Sequence, residues 1–110
     1  MITDELDSKL QHLEVSVKKL RKHGSDLAEA EKAYKIELAK EALRLEEQGV
    51  KATMIALRIY GEGKVPDLRL KRDIAKTIYQ ANIEAINALK LEIRVIENQI
   101  EREWGQANRT

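Results

Sequence analysis

His12 and His23 are the residues best suited to chemistry in this chain. An imidazole can ligate a metal or act as a general base near neutral pH. Both fall on one predicted helix, eleven residues apart. That spacing is close to three turns, so they share a side but lie about 16 Å apart along the axis. One chain cannot close both on a single metal ion. The carboxylate pairs Glu29/Glu31, Glu46/Glu47 and Glu101/Glu103 have the right residue type for acid–base or metal chemistry. None has a histidine at the Glu-x-x-His offset of di-metal helical bundles. Ser8, Ser16 and Ser25 have neither a strained elbow nor a neighbouring base. "GEGK" at 61–64 shares only its glycines and lysine with a phosphate loop, and no strand precedes it. These groups read as solvated helix faces and a turn. The expectation is no catalytic residue, no metal and no cofactor.

The elements that carry these residues are helical. Of 110 residues, 35% are charged and 4% aromatic, with no Phe. Ala, Leu, Ile, Glu, Lys and Arg dominate, a mixture suited to long surface helices and coiled coils. The length predicts one domain. Twenty Lys and Arg against nineteen Asp and Glu leave a net charge of +1, so no global field calls for nucleic acid or an anionic membrane. There is no cysteine, which excludes disulfides and thiolate chemistry. No apolar run approaches the ~20 residues of a membrane span. "MITDELDSKL" lacks the basic-then-apolar order of a secretion signal. Together these favour a cytoplasmic setting.

Thr3, Asp4 and Glu5 mark a helix start. Leu6, Leu10, Leu13, Val17 and Leu20 then step by 4, 3, 4, 3, a coiled-coil seam. Gly24, with Ser25 and Asp26, admits two readings: a break with a new cap, or one helix carrying a tolerated glycine. Leu20, Leu27 and Tyr34 keep seven-residue spacing across it, which favours one helix over 3–48. Gly49 suits a C-terminal cap with positive φ. A short helix is predicted over 52–60, stopped by Gly61 and Gly63. Pro66 suits a first helical turn, and a second long helix follows over 66–104. Gly105 ends it, leaving 105–110 as a frayed tail.

The fold class expected is all-α: a long antiparallel helical hairpin, coiled-coil-like, with a short connecting helix. The last helix is apolar beyond a narrow seam. Ile86, Leu89, Ile93, Ile96 and Ile100 form one stripe, and Ile74, Ile78, Ala81, Ala85, Ala88, Leu91 and Val95 widen it. One neighbouring helix cannot cover so wide a face. The surplus points to a second copy and a dimeric helical bundle. Ile86, Leu89, Ile93, Ile96 and Ile100, with Leu13, Val17 and Leu20 of the first helix, are the expected oligomer interface. The alternative is a three-helix monomer with Ala and Val exposed.

Two basic patches offer phosphate contacts: Lys18, Lys19, Arg21, Lys22 and His23, and Lys64, Arg69, Lys71 and Arg72. "TMIALRIYGEGKVPDLRLKRDIA" has a loose helix-turn-helix outline. Its turn is long, its second helix runs on, and Asp67 and Asp73 interrupt the charge. Arg69, Lys71, Arg72, Lys18 and Lys22 remain the candidates for nucleic-acid contact, which is not the favoured reading. Acidic residues interspersed along the first helix argue against a membrane surface. Trp104 either staples the helix end to Leu6 or Leu10 or anchors a partner.

The segment Gly49–Gly105 resembles small helical proteins encoded by phages and prophages of Gram-positive bacteria. "LRLKRDIA", "EAINALKLEIR" and "IENQIEREW" carry the resemblance, over about half of the chain. The resemblance implies a protein encoded near recombination and replication functions, in the cytoplasm of a bacterial host. It brings no catalytic motif, so no functional residue is carried over. The expected function is a non-enzymatic dimer acting through an unidentified protein partner, as an accessory factor in phage DNA recombination or replication. The alternatives are a DNA-binding accessory protein using the basic start of the last helix, and an inhibitor of a host defence or host enzyme.

Overall fold

A computed structural model describes residues 1–109, with side chains through Ala107. The elements are α1 (Ile2–Glu47), α2 (Ala52–Arg58), a 3-10 turn (Ile59–Gly61) and α3 (Val65–Arg109). The described residues contain no strand. The chain is all-α, and its two long helices pack on each other in two compact units. The first unit holds Met1–Lys22 and the stretch from Gln80 onward; the second is His23–Tyr79.

α1 starts at Ile2, so Thr3, expected to cap it, lies inside its first turn. The carbonyl of Met1 accepts the first bonds, from the amides of Asp4 (3.1 Å) and Glu5 (3.2 Å). Asp4 and Glu5 then complement the positive end of the helix dipole. The helix runs through Gly24 without a break. What the glycine supplies there is a close approach: a β-carbon would meet the Tyr79 ring at 3.4 Å, the near edge of ordinary contact. Gly24→Ala should therefore keep the ring in place and recover helix propensity. Thermal unfolding should show a gain of up to about 1 kcal/mol. A loss would mean that the Tyr79 ring cannot give way.

α1 ends as its sequence suggests. Gly49 has φ 81°, its amide bonds to the Glu46 carbonyl (2.9 Å), and the Val50 amide bonds to the Leu45 carbonyl (3.1 Å). This is the Schellman pattern that satisfies the last carbonyls of a helix. The connector is shorter in α-helix than expected, closing at Arg58 and tightening into the 3-10 turn. Charge ties it to α1. Arg44 donates to Glu41 (2.7 Å) and Glu62 (2.9 Å), and Arg58 donates to the other oxygen of Glu62 (3.1 Å). The Glu41 bond, first among these, holds the Arg44 pKa above its usual value.

Gly63 completes this corner at φ 50°. A β-carbon there would lie 2.6 Å from Glu41 Oε1, in a carboxylate that Arg44 holds through its other oxygen, Oε2. Gly63→Ala should cost about 1–2 kcal/mol from the left-handed backbone alone, read by chemical denaturation. An unchanged midpoint would contradict this corner.

α3 begins at Val65, which is fully buried, and Pro66 sits in its first turn. It does not stop at Trp104. It passes Gly105, where a β-carbon would meet nothing within 4 Å, and continues to Arg109. Gly105 does not adopt a positive φ, so the glycine lacks the conformation that would end the helix. Of the expected tail 105–110, Thr110 and the side chains of Asn108 and Arg109 lie outside the described residues.

The largest departure from expectation is in the first unit. Ile86, Leu89, Ile93 and Ile96 are only 6 or 7% exposed in a single chain. The stripe assigned to a second copy is closed from within. Ile100 is half-buried at its end. Across from it, α1 presents Leu6, Lys9, Leu13, Ser16 and Leu20, which are buried or partly buried, while Leu10 and Val17 stay 44% and 41% exposed. The seam therefore takes Lys9 and Ser16 in place of Leu10 and Val17. Two polar contacts accompany this register. Lys9 meets Glu92 at 2.8 Å, and Asn82 Nδ2 donates to the Ser16 carbonyl at 3.0 Å. Both sets share Leu6, Leu13 and Leu20, so apolar spacing alone cannot choose between them.

Candidate interaction surface

The chemistry-bearing residues do not assemble. Among the described residues, no three His, Cys, Asp or Glu side chains stand where they could hold a metal. His12 is exposed on the first unit, and His23 is partly buried in the second. Glu29, Glu46, Glu47, Glu101 and Glu103 are exposed on helix faces, and Glu31 is partly covered. Ser16 is buried as a seam residue, and no buried side-chain nitrogen or oxygen among the described residues lacks a hydrogen-bond partner. No helix among the described residues is long and apolar enough to cross a membrane.

The basic candidates are partly occupied within the second unit. The Arg72 guanidinium stacks over the buried Tyr34 ring, 4.5 Å from its centre, and pairs with Asp73 at 2.8 Å. That Asp73 bond is the main reason the Arg72 pKa stands above its usual value. Arg69 lies over the Tyr60 ring at 5.0 Å. Each such contact contributes about 0.5–2 kcal/mol to the protein's own structure, which a phosphate contact would have to displace. Lys71 is exposed. In the first unit Lys18 is exposed and pairs with Glu14 at 3.7 Å, and Lys22 is exposed.

What the fold leaves open is apolar. In the second unit, the core of Ala30, Tyr34, Leu45 and Val65 is closed, while Leu70, Ile74 and Ile78 of α3 and Ile36 and Leu43 of α1 remain in solvent. In the first unit, Leu91 and Val95 of α3 are 61% and 55% exposed, on the side of the helix turned away from the buried Ile93 and Ile96. Trp104 is 70% exposed, so it does not staple the end of α3 to Leu6 or Leu10. Single exposed apolar residues are ordinary, and aligned rows of them are candidate interaction surfaces. The sequence did carry this signal. It lay in the flanking positions Ile74, Ile78, Leu91 and Val95 rather than in the isoleucine stripe.

No family model, curated protein or solved structure matches this chain.

Proposed function

We propose that this chain is a non-enzymatic helical protein that acts by binding proteins, including its own copy, as an accessory to phage DNA recombination or replication in a bacterial cytoplasm. The observation that carries this reading is the second set of apolar side chains, left in solvent after each unit has closed its own seam. Its phage setting rests on the resemblance of the Gly49–Gly105 segment. We read the chain as an antiparallel hairpin. Support comes from pairings that fall on α3 as they rise on α1: Lys9 with Glu92 and Ser16 with Asn82 in one unit, Gly24 with Tyr79 and Tyr34 with Arg72 in the other. The DNA-binding alternative has less support, because Arg69 and Arg72 already hold tyrosine rings of their own chain.

Capture from host lysate tests the reading when wild type is compared with Leu91→Glu plus Val95→Glu. Both positions are exposed, so the double variant should keep its helical circular dichroism. A protein retained by wild type and lost by the variant supports the proposal. Equal retention by both, or none by either, contradicts it.

A further inference from the structure

A short strip of α1 in the first unit carries more than exposure. Leu10, Leu13 and Val17 line a shallow groove edged by Glu14, Lys18 and Arg21. Leu10 and Val17 are the residues that the seam passes over in favour of Lys9 and Ser16. Charge is sorted along the same stretch. Asp4, Glu5 and Asp7 precede the groove, with the Met1 ammonium 3.6 Å from Asp4; Lys19, Arg21 and Lys22 follow it; all six side chains are exposed. Glu14 is paired with Lys18 in its own chain, so the middle carries little unbalanced charge.

This order suits an inverted copy of itself. Turning the helix end for end about a point between Leu13 and Glu14 lays Leu10 of one copy on Val17 of the other, and Leu13 on the stem of Glu14, whose carboxylate Lys18 of its own chain holds. Asp4 and Asp7 of each then come against the run Lys19–Lys22 of its partner, within the range over which such charges attract at physiological salt. A parallel arrangement would stack acid on acid and base on base. The outer strip of α3 in the same unit gives no such instruction, because Glu84, Lys90, Arg94 and Glu97 intermix along Ala85, Ala88, Leu91 and Val95. We propose that the Leu10–Leu13–Val17 strip seats a second copy of the chain, with the two α1 helices antiparallel across a two-fold axis between Leu13 and Glu14. Such an interface is isologous: each patch meets the same patch on its partner. The inference rests on the self-binding part of the function proposed above and specifies its surface and orientation.

Charge reversal and crosslinking test it on the full chain, with folding checked by circular dichroism. Asp7→Lys and Arg21→Glu should each weaken the dimer by at least about tenfold at low salt, and the two together should restore it to within about threefold. The chain has no cysteine, so single cysteines report orientation cleanly. Glu14→Cys, beside the axis, should form a covalent dimer on oxidation, whereas Lys22→Cys should not. Equal crosslinking of both would mean a parallel pair and overturn the proposal. A dimer that ignores both charge reversals and does not crosslink through Glu14→Cys would overturn this strip while leaving self-association standing. A wild-type chain that stays monomeric would overturn both.

Discussion

Leu45→Ala should lower the stability of the chain by about 2–5 kcal/mol, read by urea unfolding with circular dichroism. Leu45 has no exposed surface and belongs to the small core of the second unit, with Val65, Ala30 and Tyr34. Its own backbone is fixed, because its carbonyl accepts the bond that closes the end of α1. The surroundings therefore collapse poorly onto the missing atoms, and the cavity adds to the lost transfer free energy. Leu43, two residues back on the same helix, is the control. It is more than half exposed, so Leu43→Ala should change stability by less than about 0.5 kcal/mol. Equal losses from the two variants would mean that α1 does not face the way described.

Ile93→Ala should cost about 2–4 kcal/mol, and the difference from wild type should be the same at every protein concentration. The cover over Ile93 is α1 of its own chain, so no association step enters the loss. If Ile93 instead met a second copy, truncation would act through dissociation, and its effect would depend on concentration. Leu91→Ala is the matched control, with an expected effect below about 0.5 kcal/mol. Urea midpoints of the three proteins over a wide dilution series decide between the two.

These substitutions also mark where the sequence could and could not be read. The helical class, the Gly49 cap and the continuity through Gly24 were legible because each depends on residues close in sequence: seven-residue spacing, a left-handed glycine, an uninterrupted register. The excess of apolar surface on α3 was legible too. Its location was not. Ile86–Leu89–Ile93–Ile96 and the flanking Ile74–Ile78–Leu91–Val95 are both spaced for one face of a helix. Which stripe turns inward depends on the register of α1 against α3, which Lys9–Glu92 and Asn82–Ser16 report. The Asn82–Ser16 bond joins residues 66 positions apart, beyond the reach of local pattern. Trp104 is not a staple for a related reason: burial there required a neighbour that the pairing does not place over it. At the candidate surface, the basic residues were identified by type. Their stacking on Tyr34 and Tyr60 depends on tertiary packing that no charge pattern announces.

The molar mass of the full chain in solution, by light scattering across a dilution series, tests most directly whether the open apolar faces bind. The account predicts a species of twice 12.6 kDa that falls toward 12.6 kDa on dilution. A constant 12.6 kDa up to the highest soluble concentration would contradict it.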